Sequence, residues 1–316
     1  MTEFLPLPLL RARTEPGWTA LVPQGETLRA AHLLPAAAGR PARLAWHWQG
    51  PWGEQEAVRS ASLAALHKAH GGRTRRVWVL ERGHYQIVPT EAPPDVPREE
   101  WKDALRWQLK GQLDFSAEDA ALDLLILPGD QNQRRQTQLL AVLAPKHRLR
   151  ELAAQADAQR QGLEAIDIPE TALRNLSARL EPENRAQALL SFGSGQGSLV
   201  ITQGGELLMF RQIELAAEAL AHEDDARRDA ALDRAALEVQ RTLDNFDRMF
   251  SHLSLARVLV APGPGMAGLV GHLGRLVTVQ VEALDVQAML DLSAAPELQG
   301  AEAARWLLAL GAALRE

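Results

Sequence analysis

The sequence predicts an α/β protein of two similar lobes, the first of which carries a small inserted module. Three observations lead there. A meander of three short strands occurs twice, once in each half of the chain; each meander runs on into helices; and the stretch between them includes a module that reads strand, helix, strand, strand. At 316 residues the chain is too long for one small core, which agrees with several subdomains.

In the first lobe, Trp18 to Val22, Thr27 to Leu33 and Arg43 to Trp48 are rich in β-branched or aromatic residues and are joined by turns at Gln24-Gly25 and Ala38-Gly39. A helix from Ala57 to His70, stopped by Gly71-Gly72, leads into an apolar strand from Arg76 to Leu80. A meander followed by helix and strand opens a ribonuclease-H-like lobe. The pattern then changes: a strand from Tyr85 to Pro89 precedes a helix from Pro97 to Leu113, whose N-terminus is marked by proline and by Glu99 and Glu100. Trp101, Leu105, Leu109 and Leu113 form an apolar stripe, and Ala121 to Leu127 and Gln138 to Ala144 are the strands it covers, with Gly129 to Gln136 as an exposed loop between them. A helix from Pro145 to Arg160 closes the module, and Gly162 to Ile168 returns to the first lobe.

The second lobe repeats the scheme with Ala188 to Phe192, Ser198 to Thr202 and Glu206 to Arg211, followed by a long helix from Ala226 to Leu253 whose apolar residues recur every three or four positions. A strand from Arg257 to Ala261, a helix from Ala267 to Leu273, a strand from Val277 to Val281 and a helix from Ala301 to Arg315 complete it. The expected division is residues 1–81 and 162–182 for the first lobe, 82–161 for the module and 183–316 for the second lobe.

Composition removes several functions. With no cysteine there is no disulfide framework, no thiolate metal site and no thiol nucleophile. A net charge of −6 disfavours a nucleic-acid groove, which needs concentrated positive surface. The longest apolar runs, such as Leu307 to Leu314, fall far short of the roughly 20 residues of a membrane span. The beginning of the chain lacks the basic residues of an export signal, and its apolar arm, Phe4 to Arg11, reads either as a segment that docks on this protein or a neighbour, or as an unstructured leader. Nine histidines show no metal-ligand spacing; His67 and His70 fall on one helix, and a metal site is not expected. Gly193-Ser-Gly195 is not a nucleophile elbow, and Asn175-Leu-Ser177, a glycosylation acceptor by pattern, is of no use to an unexported chain.

Four segments carry a resemblance to a known family: 107–115 (WQLKGQLDF), 162–176 (GLEAIDIPETALRNL), 237–244 (LEVQRTLD) and 310–315 (LGAALR). In this order the chain resembles the actin-like PilM group of type IV pilus assembly, and within it the MshI proteins of the mannose-sensitive haemagglutinin pilus; the first 80 residues match poorly. The resemblance implies an actin-like fold with an inserted β-α-β-β (SHS2-type) module. It also implies a cytoplasmic adaptor that sits at the inner membrane by binding the N-terminal cytoplasmic peptide of a PilN-like protein, and through it the pilus platform and its ATPase. The alternative is a nucleotide-responsive actin-like ATPase or switch.

In an actin-like protein one glycine-containing turn per lobe offers N–H groups to phosphates, and an acidic residue beside each helps to hold hydrated magnesium. The turns to compare are residues 22–29, with Gly25, and 190–198, with Gly193, Gly195 and Gly197. Pro23 and Ser191 stand where the acidic residues are expected. Gly263 and Gly265 fall where the family has its adenine loop, and Glu238 is placed to reach a ribose hydroxyl. These glycines read either as requirements of tight turns or as a weak pocket for ATP or ADP, with magnesium-dependent hydrolysis not expected. For the partner, Trp107 lies off the helix stripe and is the candidate contact, the other reading being that it packs on the first lobe.

Overall fold

The structure is a computed structural model, and it describes residues 14–37, 39–128, 137–298 and 300–315. The arm from Phe4 to Arg11 and the loop from Gly129 to Gln136 lie outside the described residues.

The first sheet is built from β1 (Trp18–Gln24), β2 (Thr27–Leu34), β3 (Ala42–Pro51), β4 (Arg75–Val79) and β8 (Ala165–Asp167), with α1 (Glu56–His70) between β3 and β4. Between β4 and β8 the chain makes the inserted module: β5 (Gln86–Glu91), α2 (Trp101–Gln108), β6 (Ala120–Ile126), β7 (Gln138–Pro145) and α3 (Lys146–Ala158). After α4 (Pro169–Ala178) the second sheet takes β9 (Ala186–Phe192), β10 (Gly197–Gln203) and β11 (Glu206–Ile213). The short α5 (Ala217–Leu220), α6 (Asp225–Met249), β12 (Leu255–Val260), α7 (Met266–Leu273), β13 (Gln280–Ala283), β14 (Leu290–Asp291) and α8 (Gly300–Ala313) follow.

The duplication predicted from sequence is present in the strand order. The first sheet runs β14-β3-β2-β1-β4-β8 and the second β11-β10-β9-β12-β13, so each lobe orders its strands third, second, first, fourth, fifth. The first three pair antiparallel and the last two parallel. Parallel neighbours need crossover helices, and these stack the molecule into layers. Leu63 and Leu66 of α1 cover one face of the first sheet, with Leu21, Leu28 and Trp78. Leu307 and Leu310 of α8 and Leu173 and Leu176 of α4 fill the space between the two sheets. Val239 and Phe246 of α6 and Leu269 of α7 cover the far face of the second sheet.

Several boundaries differ from the sequence reading. Within the segment expected to close the second lobe, β14 pairs with β3 and α8 packs on β1, β2 and α4, so these two elements cross back to the first sheet. The helix expected from Pro97 to Leu113 is broken into a single turn at Arg98–Glu100, the α2 helix, and another turn at Lys110–Gln112. Its stripe nevertheless packs as expected, because Leu105 and Leu109 are buried with Trp101 and Leu113 beside them. The strand expected at Val277 to Val281 begins three residues later. The α4 helix was not foreseen; it is buried nearly all round, its polar residues Glu170, Thr171, Asn175 and Ser177 included.

The module sheet, ordered β5-β7-β6, is covered on both sides. Leu139, Ala141 and Leu143 of β7 face α2, whereas Leu140, Val142 and Ala144 face the first lobe and α3. The α2 helix therefore lies on the far side of the module from the first lobe.

Candidate functional site

Two concavities follow from this arrangement. One is a cleft of about 510 Å³ between the lobes, walled by the β1–β2 turn on one side and the β9–β10 turn on the other. The second, of about 560 Å³, is a groove between the first lobe and α3 of the module.

At the cleft the two hairpin turns face each other because β1 and β9 are the central strands of duplicated sheets. Gly25 has a left-handed backbone (φ 59°), which explains its glycine by turn geometry alone. The glycines of the second turn behave differently: neither Gly193 nor Gly195 is left-handed, and a Cβ at Gly195 would meet nothing within 4 Å. That turn is closed by the Gly193 N–H donating to the Gln196 carbonyl at 3.0 Å, while the Gly193 carbonyl accepts from the Ala217 N–H at 2.9 Å. Among the described residues the N–H groups of Ser194 and Gly195 meet no backbone acceptor, and both residues line the cleft wall.

The other candidates are not brought into the cleft. Gly197 opens β10, where an added Cβ would strike the Phe192 ring at 2.5 Å. Gly265 is left-handed (φ 73°) and lies so close to the Leu220 carbonyl that a Cβ would sit 2.2 Å from its oxygen, and neither it nor Gly263 lines the cleft, although Pro264 does. Glu238 is also elsewhere. Its carboxylate accepts from Arg211 at 2.7 Å and from Arg241 at 3.1 Å, contacts that hold it below the usual carboxylate range, the Arg211 hydrogen bond first.

The cleft residues do not fit a magnesium nucleotide. Pro23 and Ser191 both line it at the ends of β1 and β9, and neither offers a carboxylate. The acidic lining is Glu81 and Glu218, and no cluster of three metal-ligating side chains occurs among the described residues. Cationic groups line it instead. Arg29, whose guanidinium burial pushes its pKa down, donates to Gln24 Oε1 at 2.8 Å, and Arg305 is paired with Glu302 at 2.9 Å.

Beneath the cleft a buried polar knot joins the parts of the molecule, and sequence reasoning missed it. Arg82, just after β4, donates to Ser198 Oγ and to the Gly197 carbonyl at 3.4 Å, both on the second lobe. It also lies 3.9 Å from the carboxylate of Glu170 on α4, which is 1% exposed. Glu170 accepts from the Tyr85 hydroxyl at 2.6 Å and from Gln212 of β11 at 3.3 Å. Burial, followed by the adjacent carboxylate, pushes the Tyr85 phenol far up, which keeps it a donor. The available signal was Glu170 at the second position of a helix whose neighbours are apolar.

The groove has a different chemistry. Its floor is apolar, from Trp52, Trp78 and Leu80, and its far wall is Leu149 and Leu152 of α3. Arg59, His84 and Arg148 add donors, with Glu56 and Glu151 exposed at the edge. Among the described residues the buried Arg59 Nε meets no acceptor, and burial followed by the charge of Arg148 holds His84 below the ordinary histidine range. Trp107 is not in this groove. It is 55% exposed on the outer face of α2, packed neither on the first lobe nor beside the groove residues.

Duplicated sheets of this order, layered with crossover helices around a cleft and interrupted in the first lobe by a β-α-β-β module, define an actin-like fold. Comparison with solved structures agrees: the chain is similar to a chain of the PilM–PilN type IV pilus biogenesis complex, with a TM-score of 0.70 and 22% identity over 96% of this chain and 98% of that one. The likeness is one of fold, and it includes the module. Weaker similarity is found to the cytoplasmic domain of EpsL, an inner-membrane component of the type II secretion system of Vibrio cholerae, at a TM-score of 0.49 and 12% identity over 95% and 94% of the two chains. A Bacteroides thetaiotaomicron protein with an actin-like ATPase fold has a TM-score of 0.47 and 11% identity over 87% and 95%. No family model and no curated protein matches the chain. Among the described residues no helix is long and apolar enough to cross a membrane.

Proposed function

We propose that the chain is a cytoplasmic scaffold of a type IV pilus assembly platform, of the MshI kind, which takes the N-terminal cytoplasmic peptide of a PilN-like inner-membrane protein into the groove between its first lobe and its module. The observation that carries this reading is the groove itself: an apolar floor with a few polar hooks and no reactive group suits a short extended peptide. The fold shared with a chain of a PilM–PilN complex supports the choice of partner. Through that partner the protein is held at the inner membrane and reaches the platform and its ATPase.

The scaffold works by binding and not by hydrolysis. Charge developing on a transferred phosphoryl group needs a metal or equivalent stabilisation, and the turns at Pro23 and Ser191 supply no carboxylate to hold one. The deciding experiment is fluorescence anisotropy with a labelled peptide of about the first fifteen residues of a PilN-like protein. Saturable binding that is lost in Leu152→Glu supports the proposal. Binding that is untouched by that change, or absent, refutes it.

A second reading is favoured by the N–H groups of Ser194 and Gly195, which meet no backbone acceptor among the described residues, namely that ATP or ADP binds weakly in the cleft as a switch. Thermal unfolding with and without nucleotide separates the two, because a ligand present at 100 times its dissociation constant adds about 2.7 kcal/mol.

A further inference from the structure

The apolar arm singled out in the sequence belongs to residues 1–13 (MTEFLPLPLLRAR), which precede the first described residue, Thr14. Pro6 and Pro8 carry no N–H, so the run suits neither a helix interior nor the ladder of a sheet edge. Alternating leucine and proline favours polyproline II, an extended form whose carbonyls are all unpaired.

The arm is attached at the foot of the groove. The Glu15 N–H donates to the Arg73 carbonyl at 2.7 Å, and the Glu15 carboxylate lies against Gly72, just past the end of α1. Arg76 bridges that point to the module: its guanidinium donates to the Gly72 carbonyl at 2.9 Å and to the carbonyl of Gln161, three residues past α3, at 3.3 Å. From there the groove runs along one face of α3, through Ala158, Gln155, Leu152 and Arg148. Ten helical residues rise about 15 Å. Thirteen residues in polyproline II reach about 40 Å, so the arm spans the groove with length to spare.

The lining suits such a segment. Trp52 and Trp78, with ring centroids 5.4 Å apart, floor the groove opposite Leu149 and Leu152, and aromatic-lined grooves are the usual seat of proline-rich chains. The buried Arg59 Nε, which meets no acceptor among the described residues, matches the unpaired carbonyls that the arm offers.

We propose that residues 1–13 occupy the groove of their own chain, as a tethered occupant that the PilN-like peptide must displace. The seat of the arm does not depend on the partner, whereas its regulatory effect rests on the groove reading given above. A short tether gives an effective concentration of about 1 mM, so even a weak seat lowers the affinity of a competitor. The apparent dissociation constant of the partner rises by the factor that the arm removes from the open population.

The test keeps the full chain and changes only the arm. Leu7→Asp with Leu9→Asp, and separately Pro6→Gly with Pro8→Gly, are expected to tighten binding of the labelled PilN-like peptide at least threefold over the parent. A labelled peptide of residues 1–13 is then titrated onto the Leu7→Asp, Leu9→Asp chain. Saturable binding is expected there, and its loss on adding Leu152→Glu assigns it to the groove. Light scattering of the parent is expected to give the mass of one chain.

Unchanged affinity for the PilN-like peptide in both arm variants would overturn the competition. No binding of the arm peptide, or binding that survives Leu152→Glu, would overturn the seat. A parent dimer that the arm variants dissolve would put the arm in a neighbour's groove and overturn the intramolecular form. If the PilN-like peptide binds none of these chains, the groove reading and the competition fall together, while the arm-peptide titration still decides whether the groove holds the arm.

Discussion

The hydroxyl of Tyr85 donates a 2.6 Å hydrogen bond to the carboxylate of Glu170, joining the start of the module to the helix that lies between the two sheets. Both groups are buried, at 8% and 1% exposure, so water does not replace the bond when it is lost. Tyr85→Phe keeps the ring in its apolar surroundings and removes only the donor. The expected cost is about 1–3 kcal/mol, read as a lower urea midpoint with an unchanged slope. A change within experimental error would mean that Gln212 and Arg82 satisfy Glu170 without help.

The groove and the exposed indole of Trp107 make separable predictions, because β7 puts α2 and the first lobe on opposite faces of the module sheet. Leu152→Glu puts a charge on the apolar wall and is expected to weaken the PilN-like peptide more than tenfold, or about 1.4 kcal/mol. Trp107→Ala is expected to leave that affinity within twofold. A loss at Trp107 equal to that at Leu152 would move the contact to the outer face of α2.

Hydrolysis is the next point of decision. With Pro23 and Ser191 at the turn positions, phosphate release from magnesium ATP is expected to stay at the level of a protein-free control. Turnover near one per second that Gly193→Ala abolishes would show that the cleft is catalytic, with the metal held by other groups.

Much of the fold was legible because it is periodic. Both meanders alternate or run apolar over lengths fitted to strands, and Gly25 and Gly204-Gly205 mark two of their turns with left-handed residues. What the pattern could not show was spatial. Nothing local reveals that α8 leaves the second lobe, yet two of the family-like segments meet there: Asn175 Nδ2 donates to the Gly311 carbonyl at 3.0 Å, and Arg315 pairs with Asp167 at 2.7 Å. The site was harder still. Glycine is ambiguous between a turn requirement and a ligand requirement, and Glu238 reads as a free carboxylate until Arg211, 27 residues away in sequence, is seen to hold it. The helix period puts Trp107 off the apolar stripe but leaves open whether it is exposed or packs on the first lobe, because the face of the module it occupies depends on strand order.

Acid should weaken the fold through histidines before it acts on carboxylates. His32 is fully buried and donates from Nδ1 to Thr19 Oγ1 at 3.0 Å, because Thr19 gives its own proton to Thr74 at 2.8 Å. Burial holds its pKa below the ordinary value, and burial does the same for His70, stacked on Trp46, and for His84. A depressed folded-state pKa means that the unfolded chain binds more protons between the two values. Stability is therefore fully present above the unfolded value of about 6.5 and falls as pH drops below it. Urea midpoints measured from pH 8 to pH 5 should decline, and His32→Gln should decline less steeply than the parent. Equal slopes would place the proton uptake at His70 and His84.

Glycine substitutions separate structural positions from those that face the cleft. Gly265 is left-handed, and a Cβ there would fall 2.2 Å from the Leu220 carbonyl oxygen. Gly311 has ordinary helical backbone, but a Cβ would fall 2.3 Å from the Ala172 carbonyl oxygen, where α8 crosses α4. Backbone cannot yield as a flexible side chain does, so alanine at either position must push elements apart. Overpacking of this kind costs about 1–3 kcal/mol, and Gly265→Ala adds the strain of its conformation. Gly195→Ala has neither burden and should stay within about 0.5 kcal/mol of the parent. Thermal unfolding of the three variants gives the order directly. If Gly195→Ala is neutral in the absence of ligand yet abolishes a nucleotide-induced rise in melting temperature, its glycine serves the cleft; if it unfolds as readily as Gly311→Ala, it serves the turn.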